Sequence, residues 1–130
     1  MVEVEVRMKL EFMGEAGPDR NPTLLLYGSE AEVVRALAAT LTTLTEEGVE
    51  LSALPGVEAV DACRVRVQRG GGTGIRCTGP NAFTWQLTEG TLDHVLGFLE
   101  PFMDGSTEDG FQWLEQYGEI DFIISRGRYF

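Results

Sequence analysis

Histidine is almost missing from this chain: one residue in 130, His94, carries an imidazole. Every histidine-based nucleophile triad would have to use it. With Thr91 as a cap, His94 stands in the first turn of a helix, and its neighbours one turn away are Gly90, Thr91, Gly97 and Phe98. None is a carboxylate, so none can orient the ring for acid–base work. Cys-x-x-Cys, His-x-x-x-His, Gly-x-Ser-x-Gly and the phosphate-loop Gly-Lys-Ser are all lacking. With them go the usual sequence signs of zinc, hydrolase and nucleotide chemistry. The residues assign no catalytic group, no metal and no cofactor.

No apolar run approaches the ~18 residues that read as a membrane-spanning helix. The start, MVEVEVRMKLEF, is broken by a charge at every second residue and has no signal-peptide core. These absences imply cytoplasmic residence. Bases are scarce as well, 10 against 21 acids, for a net charge of −11. That charge repels phosphate backbones and anionic lipid, so the expectation is no nucleic acid and no membrane partner. It suits solubility, a basic protein partner or a cationic ligand. There are two cysteines, Cys63 and Cys77. Placed on a hairpin centred near Gly72, their sulfurs lie ~13 Å apart along the strands. A disulfide needs Cα atoms within about 7 Å, so both are expected as free thiols, which agrees with a reducing compartment.

Length and composition fit one α+β domain, 1–130, with 43% hydrophobic residues to build a core. Val2, Val4, Val6, Met8, Leu10 and Phe12 alternate with charges, which predicts a strand over 2–12 with one face to the core. A loop over 14–22 and a strand at Thr23–Tyr27 follow. Ser29 and Glu32 form a capping-box pattern for a helix over about 30–47, with Gly48 as its stop. Its stripe is Val34, Leu37, Ala38, Leu41 and Leu44. Strands are expected at Val49–Ala53, Ala62–Arg69, Ile75–Thr78 and Ala82–Leu87, with Gly70–Gly74 closing a hairpin and Gly79-Pro80-Asn81 a turn. A second helix starts at 89 or 92 and ends near 103. Phe111–Gln116 and Glu119–Ser125 read as a closing hairpin, with a short helix at 111–116 as the alternative. The expected architecture is an antiparallel or mixed sheet of about six to eight strands with two helices on one face.

Charge is unevenly spread. Arg64, Arg66, Arg69 and Arg76 fall within 64–76, a stretch without an acid. Arg64, Arg66 and Arg76 share one face of the expected hairpin, so an acidic neighbour such as Glu3 or Glu5 is expected beside them. Glu89, Asp93, Glu100, Asp104, Glu108, Asp109, Glu115, Glu119 and Asp121 fall within 86–121, a stretch without a base. Two loops invite specific chemistry. Asp104, Ser106, Glu108 and Glu115 echo calcium-loop spacing, but Asp109 stands where that loop needs glycine. Gly70–Gly72 with Gly74 could cradle an anion, but the run joins two strands rather than feeding a helix. Both read more simply as a solvated acidic loop and a hairpin. Phe111, Trp113 and Tyr117 border the acidic loop. Exposed aromatics ringed by carboxylates suit a basic or apolar protein surface. The expected partner-binding residues are therefore Asp104, Glu108, Asp109, Phe111, Trp113, Glu115 and Tyr117.

The tail GFQWLEQYGEIDFIISRGRYF, through Gly110, Gln112, Trp113, Leu114, Ile123, Ile124 and Ser125, resembles the C-terminal ends of small acidic bacterial proteins of the immunity type, encoded with secreted polymorphic toxins. The resemblance covers about a sixth of the chain and implies an inhibitor of a cognate toxin, without transferring a site. The expectation is a non-enzymatic protein-binding domain. The alternatives are a small enzyme or small-molecule binder that uses carboxylates and His94 in a cleft, and a self-associating subunit with open edge strands.

Overall fold

A computed structural model describes residues 8–14, 22–28, 30–103, 110–116 and 118–126. Val2, Glu3, Val4, Glu5 and Val6, Ser29, the 104–109 loop and Tyr117 lie outside them. The class is α+β. Among the described residues, two helices and nine strands form two mixed sheets, of five and four strands.

The five-stranded sheet is built from β1 (Met8–Met13), β2 (Thr23–Tyr27), β4 (Val57–Ala59), β8 (Phe111–Glu115) and β9 (Asp121–Ser125), in the order β4-β1-β2-β9-β8. β1 runs antiparallel to β2 and parallel to β4, β2 runs parallel to β9, and β8 and β9 form the closing hairpin. Residues 111–115 are thus strand, not helix. The alternation expected for the first strand holds over its first described residues, with Met8 and Leu10 buried and Lys9 exposed, but Glu11 is half-buried like Phe12 and accepts the Tyr27 hydroxyl at 2.9 Å.

The four-stranded sheet contains β3 (Val49–Glu50), β5 (Arg64–Arg69), β6 (Gly74–Gly79) and β7 (Ala82–Leu87), in the order β3-β5-β7-β6. This corrects the expected hairpin across Gly70–Gly74. β5 pairs in parallel with β7, and among the described residues β6 pairs with β7 alone, antiparallel through the turn at Gly79-Pro80-Asn81. Burial explains the order. On β7, Phe83, Trp85 and Leu87 are all buried, whereas β6 buries Ile75 and exposes Arg76, Cys77 and Thr78. The more apolar strand takes the centre and the polar one the edge. The spacing argument for the thiols falls with that hairpin, because Cys63 and Cys77 flank β7 instead. Both are nevertheless free, Cys63 buried and Cys77 exposed. Burial, with the Glu11 carboxylate adding to it, pushes the Cys63 thiol up to about 11. A thiol reagent at mildly alkaline pH is expected to label Cys77 quickly and Cys63 only after unfolding. Two fast thiols in the folded protein would contradict this.

α1 (Ala31–Thr42) is shorter than expected and starts after Glu30, which makes no side-chain cap bond. Its end is set by a run of threonines: Thr42 Oγ1 donates to the Ala38 carbonyl (2.8 Å) and Thr43 Oγ1 to that of Thr40 (3.3 Å). Such back-bonding competes with helix propagation. Val49–Ala53 splits into the two-residue β3 and a 3-10 turn at Leu51–Ala53. α2 (Glu89–Met103) is entered through Thr88. The Thr91 hydroxyl accepts from the Thr88 amide (2.8 Å) and the Thr88 hydroxyl from the Thr91 amide (3.2 Å). This reciprocal box, not a cap at Thr91, fixes the helix start.

The sheets meet face to face, with ring centroids of Phe12 and Phe83 4.5 Å apart and of Trp85 and Phe122 5.0 Å apart. α1 packs on α2, and α2 on β7 and β8. One apolar cluster joins both sheets and both helices. A smaller one, Leu25, Tyr27 and Ile123 with Met13 and Trp113, occupies the other face of the five-stranded sheet.

Candidate functional site

The C-terminal third is organised around the groove between α2 and β8. The register of β8 on β9 explains which side chains reach it. Phe111 pairs with Ser125 and Trp113 with Ile123, so both lie on the face of the smaller cluster, and Trp113 also borders the groove. The register then slips, and Glu115 pairs with Phe122, on the core face. A bulge of this kind re-aims the side chains that follow it. It carries Glu115 into the interior, where Glu115 is 3% exposed and its Oε1 accepts the Trp85 Nε1–H at 3.0 Å. Glu115 is therefore not part of an exposed acidic patch, a correction to its expected role.

Among the expected partner-binding residues, Phe111 is exposed at 49%. Trp113 is half-buried, and Asp104, Glu108, Asp109 and Tyr117 lie outside the described residues. The groove is lined by Thr73, Thr91, His94, Phe98, Glu115 and Gln116, among others. It brings together His94 of α2 and Glu115 of β8, 21 positions apart in the chain. Among the described residues, no group of three or more His, Cys, Asp or Glu is placed to hold a metal ion.

Phe98 was missed as a site residue. It falls off the stripe of Leu92, Val95, Leu99 and Phe102 that α2 buries, and is 38% exposed. That displacement from the stripe was the available signal. Residues four apart share a helix face, so Gly90, His94 and Phe98 form one exposed row, and Glu89 and Asp93 the next, with Glu100 two turns beyond Asp93. The outer surface of α2 thus sets an acidic row beside an aromatic one.

The glycine stretch serves the same region. The Thr73 and Thr91 hydroxyls are 2.8 Å apart, and the Gln86 amide donates to the Gly72 carbonyl at 3.0 Å. The loop is thereby tied to the start of α2 and to β7. The arginines share one face, as expected, but across three strands: Arg66 and Arg76 both pair with Thr84, from opposite sides. Two strand spacings, about 10 Å, separate them. Glu3 and Glu5, expected beside them, lie outside the described residues; the partners among the described residues come from the 47–50 segment. Arg64 sits 3.5 Å from Glu50, and the Arg66 guanidinium donates to the Glu47 carbonyl. No helix among the described residues is long and apolar enough to cross a membrane. No known protein family, curated protein or solved structure matches the chain.

Proposed function

We propose that this chain is a non-enzymatic binding protein that engages a basic partner protein through the surface of α2 and β8. One observation carries the reading. Among the described residues, the large hydrophobic side chains left exposed are Phe98 beside the groove and Phe111 on the other face of the edge strand β8, and both fall in the stretch 86–121, which has no lysine or arginine and whose exposed acids among the described residues are Glu89, Asp93, Glu100 and Glu119. Exposed aromatics act as binding anchors, and surrounding carboxylates steer a basic surface toward them. The tail resemblance supports an immunity-type form of this binding, with the partner a toxin. The free thiols Cys63 and Cys77 support a reducing, cytoplasmic setting. Against the small-molecule reading, Glu115 is already engaged by Trp85.

Affinity capture from the native host tests the proposal. The expected result is a specific basic protein, recovered less well as salt is raised, because screening weakens exposed charge contacts. Capture of no basic protein, or recovery indifferent to salt, would overturn it.

A further inference from the structure

We infer that the cleft between β6 and the β8–β9 turn binds a small zwitterion, a molecule that carries both a carboxylate and an ammonium group. This cleft adjoins the groove of His94 and Glu115 at Thr73 but uses neither of those residues. The inference is independent of the partner surface proposed above. The cleft holds about 410 Å³, within the ~300–1,000 Å³ usual for small-molecule sites.

Two opposite charges line it. Arg76 comes from β6 and Glu119 from the turn that joins β8 to β9. These elements belong to different sheets. They approach each other at Gly118, where an added Cβ would meet the Gly74 Cα and the Ile75 amide nitrogen at 3.9 Å. Neither charge is spent inside the protein. Of the three arginines on the sheet face, Arg64 sits beside Glu50 and Arg66 donates to the Glu47 carbonyl. The Arg76 guanidinium has no hydrogen-bond or ion-pair partner among the described residues, and neither has the Glu119 carboxylate. A cation and an anion that share a cleft without meeting leave both ends of a zwitterion a partner.

The glycine loop adds donors at the arginine end. The Gly72 and Thr73 amides, which line the cleft, meet no acceptor among the described residues. The loop is held in place by the Gln86 amide on the Gly72 carbonyl, by the Gly70 amide on the Leu87 carbonyl (3.1 Å) and by the Thr73–Thr91 hydroxyl pair. Donors fixed in this way lose little entropy on binding. A guanidinium with backbone amides beside it is a carboxylate-binding set. Net charge decides what the rest of the ligand carries. At −11 the protein repels a net anion. A zwitterion has no net charge, and its ammonium group gives Glu119 the partner it lacks.

The test uses the whole protein and three probes of similar length, γ-aminobutyrate, butyrate and butylammonium, at constant ionic strength. The readout is the backbone amide resonances of Gly72 and Thr73. γ-Aminobutyrate is expected to give a saturable shift, with an affinity roughly tenfold or more above either singly charged probe, the effect of one hydrogen bond to a charged group. Arg76→Gln should lower its affinity to that of butylammonium, and Glu119→Gln to that of butyrate. Both side chains are exposed, so both variants should fold, and the comparison of the three probes on the wild type decides without them. The site is overturned by no saturable shift with γ-aminobutyrate, by butyrate or butylammonium binding the wild type as tightly, or by an affinity that either variant leaves unchanged.

Discussion

Replacing Trp85 by alanine is expected to destabilise the protein by about 3–5 kcal/mol from lost packing alone. The side chain is fully buried on the central strand β7 and touches Phe122 of the opposite sheet. Its removal empties the place where the two sheets meet. A second effect adds to the first. Without the indole, Glu115 loses a buried hydrogen-bond donor, and losing a hydrogen bond to a buried charged group costs about 1–3 kcal/mol more. A domain of this size has only about 5–15 kcal/mol in total, so the variant should be largely unfolded in mild denaturant. Trp85→Phe keeps an aromatic ring against Phe122 and removes the donor, so its loss should be well below that of Trp85→Ala. Urea unfolding of both variants is the check. A Trp85→Ala loss under about 1 kcal/mol would contradict the packing described here.

Gly48→Ala should be nearly as damaging, although it adds one carbon. Gly48 holds φ at +79°, and a Cβ there would lie 2.4 Å from the Val67 carbonyl oxygen and 2.8 Å from the Gln68 Cβ. The backbone conformation alone costs a non-glycine residue about 1–3 kcal/mol. The clash adds to this, because its nearest atom is strand backbone and cannot swing away. Relief requires β3 to move off β5, and Val49 and Glu50 pair there with Val67 and Arg66. Gly71→Ala is the control. A Cβ at Gly71 meets nothing within 4 Å, and its effect should stay within about 0.5 kcal/mol. Equal midpoints for the two variants in urea would show that the approach of residue 48 to β5 is not as described.

These two positions also show what a sequence reader can and cannot see. Trp85 was legible as core, because Phe83, Trp85 and Leu87 alternate with polar residues on one strand. The partner of its indole was not, because Glu115 reaches it only through a bulge that the pattern of β8 does not announce. Gly48 was legible as a glycine in a special place, but for another reason. It looked like a helix stop, whereas α1 ends at Thr42 and Gly48 serves the approach to β5.

The same division runs through the fold. Helical spacing marked α2, period-two spacing marked β5 and β7, and short apolar runs between turn residues marked β2, β6 and the β8–β9 hairpin, since side-chain direction and turn chemistry are local properties. Which strands pair is not local. β6 and β7 both compete for the place beside β5, and burial on the finished sheets decides it in favour of β7. β4 is three residues long and pairs in parallel with β1, too short for any pattern to show. In the candidate site, Phe111 could be read as exposed, while Phe98 required attention to a residue lying outside its helix stripe.

The central claim is that the surface of α2 and β8 is where a basic partner binds. The most direct test is a paired capture from the native host with the wild-type chain and a Phe98→Ala/Phe111→Ala variant. Both positions are exposed, so the variant should keep its stability to within about 1 kcal/mol. The account predicts that the wild type retains a basic protein and that the variant retains it at least roughly tenfold less, as expected when binding anchors are truncated. Equal recovery of that protein by both chains would contradict it.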